Sequence, residues 1–160
     1  MHEKHVARFG TWPSPVTPEL VAGETVSFSE LAVDGHAVLW LEQRPSERGR
    51  RALVRWEPGS PARDVLGTQA DAGSRVHEYG GGAYAAAGGR IVYSERSDGS
   101  VWIVEGGAVR PLVTIPGCRY AGFALDAAHG RVYAVREDHR DREVELVRLL
   151  LLGEGIMERA

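Results

Sequence analysis

Three short stretches carry the same pattern, a turn glycine followed by apolar residues: Gly35-His-Ala-Val-Leu-Trp40, Gly89-Arg-Ile-Val-Tyr-Ser94 and Gly130-Arg-Val-Tyr-Ala-Val135. Glycine tolerates the positive φ of a hairpin turn, and the β-branched and aromatic residues after it favour a strand. The three glycines are 54 and 41 residues apart. A recurring unit of this size, built from short strands, is typical of a β-propeller blade.

Further short apolar runs supply the other strands of each unit. Glycine, aspartate, serine and proline separate these runs, and the chain contains 20 glycines and 8 prolines, which suits a fold with many tight turns. We predict strands over residues 25–31, 37–42, 51–56, 64–66, 82–87, 90–95, 101–105, 109–113, 120–125, 131–135 and 143–150.

These strands divide residues 24–160 into three repeats, at about 24–68, 75–115 and 119–152. The predicted fold is an all-β, partial propeller of four-stranded antiparallel blades, with an incomplete third blade. Closed propellers have about 4–8 blades, so the rest of the ring would have to come from another chain or from a longer protein. An open β-sandwich or a small barrel is the alternative fold, because short strands at this spacing also permit it.

The two ends of the chain depart from the repeat. Residues 1–23 are predicted to be an extended segment, because residues 13–18 include three prolines, with a possible helical turn over 18–22. At the other end, four leucines at 149–152 lose the alternation of a half-buried strand. They are compatible with a fully buried strand or with sequence that has left the repeat, for instance after a frame shift.

Composition excludes several classes of function. The 19 basic and 22 acidic residues leave a formal net charge of −3, which does not favour a nucleic-acid-binding surface. No signal peptide is visible, and the run at 149–152 is far short of the ~20 apolar residues of a membrane span. The single Cys118 cannot form an intramolecular disulfide. We therefore expect a cytoplasmic protein without nucleic-acid or membrane partners.

Signatures of catalysis are missing from the sequence. It contains no G-x-S-x-G, no H-E-x-x-H and no cysteine pair. Cys118 is interpreted as a structural or idle thiol. The glycines at 80–82 lack the Lys-Ser/Thr of a phosphate-binding loop and are interpreted as allowing close backbone approach. We predict no catalytic residue, no cofactor and no metal site in this chain.

The densest polar cluster directly precedes a predicted strand and contains Arg75, His77, Glu78 and Tyr79. These four residues are candidate contacts for a ligand in the channel of the propeller. An alternative interpretation is an internal latch, in which His77 and Glu78 bond backbone groups of adjacent blades and Tyr79 fills the space between them. A second charged segment, residues 136–140, is predicted to be a solvated turn.

Three stretches together resemble the N-terminal propeller of the prolyl oligopeptidase family of serine peptidases: Trp12-Pro-Ser-Pro-Val-Thr17, Arg75-Val-His-Glu-Tyr-Gly-Gly-Gly-Ala-Tyr84 and Arg136-Glu-Asp-His139. The branch that it resembles most is that of the acylaminoacyl-peptidases and dipeptidyl-aminopeptidases. The resemblance covers about residues 9–148, and its specific part is the string at 77–84.

In that family the propeller covers an α/β-hydrolase domain and restricts access to short peptides. The catalytic serine, aspartate and histidine lie in the hydrolase domain, and none has a matching position here. The resemblance therefore implies a non-catalytic fragment whose partners are the rest of the propeller and a hydrolase domain, and whose ligands are peptides at most.

Two rival functions are compatible with the sequence. The first is a standalone binding module that closes its ring as a homo-oligomer. The second is a metal-dependent lactonase, which needs a cluster of ligands from several strand ends that the sequence does not supply.

Overall fold

A computed structural model describes residues 6, 8–11, 14–17, 25–141, 143–150 and 157–159. The helical turn predicted over 18–22 lies outside the described residues, as do the last two of the four consecutive leucines. The described part consists of strands, turns and two single 3-10 turns, Pro45–Glu47 and Val76–Glu78.

Twelve strands follow one another along the chain. They are β1 (Ser27–Asp34), β2 (Ala37–Arg44), β3 (Arg50–Trp56), β4 (Arg63–Asp64), β5 (Tyr84–Ala87), β6 (Arg90–Ser94), β7 (Val101–Glu105), β8 (Ala108–Val113), β9 (Cys118–Asp126), β10 (Arg131–Asp138), β11 (Glu143–Leu150) and β12 (Met157–Arg159).

The strands form three antiparallel sheets of four, and each sheet is a meander in chain order. The first sheet contains β1 to β4, the second β5 to β8 and the third β9 to β12. The predicted fold class, a partial propeller of four-stranded antiparallel blades, is confirmed. The third blade was predicted to be incomplete, and this is wrong: β12, which has three residues and pairs with Val147–Leu149 of β11, supplies its fourth strand.

The first strands of the three sheets lie side by side. Strand β1 contacts β5, and β5 contacts β9. Each sheet then extends outward from this shared edge through its second, third and fourth strands. This is how the blades of a propeller are arranged around its axis.

Two hydrophobic clusters join the three sheets. In β6, Ile91 and Tyr93 pack into the cluster shared with the first sheet, whereas Val92 packs into the cluster shared with the third. Alternate side chains of a strand point to opposite faces, so the second sheet is covered on both sides. Each large apolar side chain that is fully buried in this way stabilises the fold by about 1.5–3 kcal/mol.

The first strands of the outer two sheets carry a matching irregularity. The pairing of β1 with β2 shifts between Ser29 and Ala32, and β9 has one extra residue around Gly122 opposite β10. At these bulges Glu30 has φ 53° and Gly122 has φ 64°. Both backbones are left-handed, which glycine adopts freely and glutamate does not.

Apolar side chains are exposed at both ends of the stack of sheets. Phe28, Leu31 and Val33 of β1 are more than half exposed, and so are Val144 and Leu146 of β11. Apolar residues that are exposed together mark surfaces that pair with something else.

Candidate functional site

The segment with the four candidate site residues joins the first sheet to the second. Val76 is buried and anchors it, while His77 (φ 54°) and Glu78 (φ 64°) have left-handed backbones. A non-glycine residue in this conformation costs roughly 1–2 kcal/mol. Such residues persist where surrounding contacts hold them.

Those contacts come from the third sheet. The Arg119 guanidinium of β9 donates through Nη1 to the carbonyl oxygen of Arg75 (2.9 Å) and to Oε1 of Glu78 (2.6 Å). The backbone N–H of His77 donates to Oε2 of Glu137 in β10 (3.1 Å). The hydrogen bond from Arg119 lowers the pKa of Glu78. The segment therefore precedes the second sheet along the chain but is hydrogen-bonded to the third.

These contacts differ in detail from the latch that the sequence suggested. The carboxylate of Glu78 bonds a guanidinium rather than a backbone group. Tyr79 is 93% exposed and does not fill a space between sheets. Contact of Arg75, His77, Glu78 and Tyr79 with a ligand stays a prediction.

The prediction of a solvated turn at residues 136–140 is wrong for its first three residues, which belong to β10. Asp138 is 1% exposed. Its carboxylate accepts hydrogen bonds from Nε (2.9 Å) and Nη2 (2.6 Å) of Arg140, and Oδ1 also accepts the backbone N–H of Arg140 (3.0 Å). The Arg140 guanidinium holds the pKa of Asp138 well below its ordinary value. Burial is tolerated here because the charge is paired and hydrogen-bonded.

The thiol of Cys118 lies against this carboxylate. Its Sγ is 3.4 Å from Oδ2 of Asp138, and the side chain is buried. Burial, helped by the neighbouring Asp138, raises the pKa of Cys118. A thiol with a raised pKa stays protonated at neutral pH and is a poor nucleophile, as expected of a structural cysteine.

A cavity of about 330 Å³ lies at the ends of the second and third sheets. Its lining includes Arg75 from the segment at 75–79, His139 from the segment at 136–140, and Arg119 between them. The two charged clusters that the sequence singled out therefore meet in space. Nε2 of His139 lies 3.1 Å from Oε2 of Glu137, which also accepts the His77 N–H.

The sequence missed the partners that complete this region. Arg119 and Glu137 were not chosen as site residues, although they hold the 75–79 segment in place. Ser94 and Arg96, which line the cavity, were also missed. Their separations along the chain carry no motif, so only the folded arrangement of the sheets brings them together.

Of the three glycines at 80–82, Gly80 and Gly82 allow backbones to approach closely, as predicted, whereas a Cβ on Gly81 would have no atom within 4 Å. The carbonyl oxygen of Gly82 accepts the N–H of Gly122 at 2.8 Å. A Cβ on Gly82 would lie 2.7 Å from that nitrogen, and a Cβ on Gly80 would lie 2.3 Å from the carbonyl oxygen of Ser74. A side chain at either position would collide with backbone.

Hydrogen bonds from the second sheet to Glu30 and Asp34 of β1 join the first and second sheets. The Glu30 carboxylate accepts the N–H of Ala83 (2.7 Å), and the Glu30 carbonyl accepts the hydroxyl of Tyr84 (2.5 Å). The Asp34 carboxylate accepts the N–H groups of Gly88 (2.8 Å) and Gly89 (2.7 Å). Burial raises the pKa of Tyr84, so its hydroxyl remains a donor.

The described residues contain neither a cluster of metal ligands nor a membrane-spanning helix. Within that part of the chain, histidine, cysteine and carboxylate side chains do not come together in a group of three that could hold a metal ion. Among the same residues, no helix has the length and apolar character needed to cross a bilayer.

Comparison with sequences alone finds no counterpart: no family model matches the chain, and no curated protein matches it significantly. Solved structures do match. Two of them, described next, confirm the resemblance to the N-terminal propeller of the prolyl oligopeptidase family.

Two of these structures are peptidases or hydrolases. A puromycin-hydrolyzing peptidase of Mycobacterium tuberculosis is 28% identical with a TM-score of 0.78, over 98% of this chain and 26% of that one. A puromycin hydrolase is 26% identical with a TM-score of 0.77, over 91% of this chain and 25% of that one. The chain thus spans about a quarter of the length of each.

A third structure shows the fold alone. It comes from a nidogen/laminin complex and is 12% identical with a TM-score of 0.55, over 82% of this chain and 47% of that one.

Proposed function

We propose that this chain is a non-catalytic N-terminal propeller part of a serine peptidase of the prolyl oligopeptidase family. We further propose that in the full enzyme it gates the access of short peptides to the catalytic domain. The observation that carries the proposal is the match of 98% of this chain, at 28% identity, to 26% of a puromycin-hydrolyzing peptidase. A segment that corresponds to a quarter of an enzyme serves as one of its parts.

The arrangement of the sheets supports the proposed gating. The blades of a closed propeller surround a central channel, and a narrow channel would admit a short peptide and exclude a folded protein. The contacts β1–β5 and β5–β9 support a shared inner edge along such a channel here. Arg75, His77, Glu78 and Tyr79 precede β5 on this edge, which supports their proposed role as channel contacts.

The proposed partners are the rest of the propeller and a hydrolase domain. The exposed apolar residues of β1 and β11, such as Phe28 and Leu146, support association of both end faces with further blades. The two peptidase structures are described as acting on puromycin, so puromycin is the first substrate to try with a complete enzyme.

A chimaera tests the gate. The matching quarter of the Mycobacterium tuberculosis peptidase is replaced with this chain, and kcat/KM is measured for puromycin and for a long peptide. We expect the chimaera to hydrolyse puromycin and to discriminate against the long peptide. A variant that lacks the quarter altogether is the control and should lose this discrimination.

Two outcomes would contradict the proposal. A folded chimaera that cleaves the long peptide as readily as the deletion variant would exclude gating. Hydrolysis of a peptidyl substrate by the purified 160-residue chain, abolished by a serine-directed reagent, would show that the chain is itself catalytic.

A second candidate function is a standalone module that closes its ring as a homo-oligomer. The exposed apolar residues at both ends of the stack favour it as well. It predicts a discrete oligomer in light scattering, which Leu146→Lys on β11 should dissociate. A monodisperse, folded monomer would contradict this function. The cytoplasmic location stays a prediction.

A further inference from the structure

The cavity between the second and third sheets has the size and lining of a small-ligand site. Its volume of about 330 Å³ falls at the lower end of the range for ligand pockets, about 300–1,000 Å³. Three arginines line it together with two carboxylates, Glu95 and Asp98.

Ser94 supplies a buried polar group in this cavity. The residue is 1% exposed, it lines the cavity, and its Oγ has no hydrogen-bond partner among the described residues. It shares a face of β6 with Val92, which packs toward the third sheet. A buried hydroxyl left unpaired costs about 1–3 kcal/mol, so a partner is to be expected in the cavity.

The two carboxylates already accept hydrogen bonds from other groups of the chain. Oε2 of Glu95 accepts the N–H of Asp71 (3.0 Å), and its Oε1 accepts the N–H (3.2 Å) and the hydroxyl (3.1 Å) of Ser97. Oδ1 of Asp98 accepts the N–H of Ser100 (2.8 Å). Both side chains therefore brace the connection between β6 and β7.

The arginines divide into one that is paired and two that are not. Arg119 is engaged by Glu78. Within the described part of the chain, neither Arg75 nor Arg96 forms a salt bridge, and the guanidinium of neither makes a hydrogen bond. A guanidinium presents a planar fork of donors that fits the oxygens of a carboxylate or a phosphate.

We propose that this cavity binds a small oxyanion, a carboxylate or a phosphate, between the guanidiniums of Arg75 and Arg96, with the Ser94 hydroxyl as a further donor. A water molecule would satisfy Ser94 but would leave both guanidiniums without a hydrogen-bonded anion. The proposal is independent of the proposed function, because it concerns binding by this chain and is measured on it.

The test is a titration of the 160-residue chain followed by NMR, with three probes. These are inorganic phosphate, an N-acetylated dipeptide with a free carboxylate, and the same dipeptide as its C-terminal amide. We expect saturable shifts of cavity residues with phosphate, with the free acid or with both, and none with the amide. Which of the two anions binds more tightly identifies the source of the oxyanion.

Variants locate the binding. Arg96→Gln should weaken it about tenfold, the loss expected for one charge-assisted contact, and Ser94→Ala should weaken it several-fold. The matched control, Arg63→Gln, removes the same charge from β4 outside this cavity and should leave the affinity unchanged.

Several results would overturn the proposal. One is the absence of saturable binding by either anion, which would mean that the Ser94 hydroxyl is hydrogen-bonded only to water. Others are equal binding of the amide, or equal loss in Arg63→Gln and Arg96→Gln, which would indicate nonspecific attraction. None of these results bears on the chimaera, so failure of this site and failure of the gate are distinguishable.

Discussion

The two junctions between neighbouring sheets differ in the groups that join them. At the first junction, carboxylates of β1 reach across: Glu30 accepts the N–H of Ala83, and Asp34 accepts those of Gly88 and Gly89. At the second, backbone meets backbone between Gly82 and Gly122. The bulge of β1 therefore bonds the second sheet through a carboxylate, whereas the bulge of β9 bonds the residues before β5 through backbone alone.

Equivalent positions explain this difference. Glu30 lies four residues before Asp34, and Gly122 lies four residues before Asp126; both occupy the bulge and have positive φ. Glutamate gains a hydrogen bond to the next sheet but keeps a strained backbone, whereas glycine avoids the strain. Asp126 bonds His129 in its own turn instead of a neighbouring sheet. The bulge position in the blade thus determines the left-handed backbone. The residue at that position determines whether a side chain bonds the neighbouring sheet.

The largest expected effect is at the second junction. Gly82→Ala places a Cβ 2.7 Å from the nitrogen and 2.9 Å from the Cα of Gly122, at φ 58°. We expect a loss of about 3 kcal/mol in the free energy of unfolding, measured by urea denaturation. Gly89→Ala is the control, with φ 75° and no atom near its Cβ, and should cost only about 1–2 kcal/mol. Equal losses would mean that close approach does not limit this junction.

Asp34→Ala should come next and should weaken the first junction. It removes the acceptor of two backbone N–H groups, and hydrogen bonds to a charged group contribute about 1.5–3 kcal/mol. We expect a loss of about 2 kcal/mol in the same urea assay. Asp126→Ala, at the equivalent position of the third sheet, should cost less because its bonds stay within one turn. The reverse order would refute the role given to Asp34.

Replacing Glu30 separates the hydrogen bond from the backbone strain. Both Glu30→Ala and Glu30→Gly lose the carboxylate that accepts the Ala83 N–H. Only glycine relieves the left-handed backbone, so Glu30→Gly should be more stable than Glu30→Ala by about 1 kcal/mol. Thermal unfolding of the two variants measures this difference. If Glu30→Ala were as stable as Glu30→Gly, or more stable, the backbone of Glu30 would not be strained in solution.

Acid should destabilise the third sheet, which contains Asp138. Because its pKa is lower in the folded chain than its ordinary value of 3.8, Asp138 contributes stability above about pH 4 that is lost as the pH falls further. We expect the fall in Tm from pH 5 to pH 3 to be shallower in Asp138→Asn than in the parent chain. Asp141→Asn changes an exposed side chain of the adjoining turn and should leave the slope as it is. An unchanged slope in Asp138→Asn would place the acid-sensitive group elsewhere.

Strands were predictable because their signals are local. The turn glycines and the apolar residues after them place the first residues of β2, β6 and β10 correctly, although β10 extends three residues beyond its predicted end. β12 was missed because three residues in a polar, glycine-containing tail carry no pattern. The weak fourth strand was predicted at 64–66, whereas β4 is Arg63–Asp64, since a two-residue strand depends on its neighbour rather than on its own sequence.

The candidate region was only half predictable. The cluster at 75–79 stands out in the sequence, but Arg119 and Glu137 become its partners only through the stacking of sheets. One signal in the sequence does indicate that Asp138 is buried. Alternation along β10 puts Asp138 on the same face as Val132 and Ala134, which are buried, and this spacing already argues against a solvated aspartate.

The meander order of the sheets has a consequence for synthesis. Because each sheet is complete before the next one begins, a ribosome releases them one at a time, and the roughly 50 residues from β4 to the end of β8 take about 3–10 s. During that interval the Asp34 carboxylate already stands at the end of a finished hairpin. It offers an acceptor to the Gly88–Gly89 turn as soon as that turn emerges, so the nascent first sheet acts as a template on which the second docks.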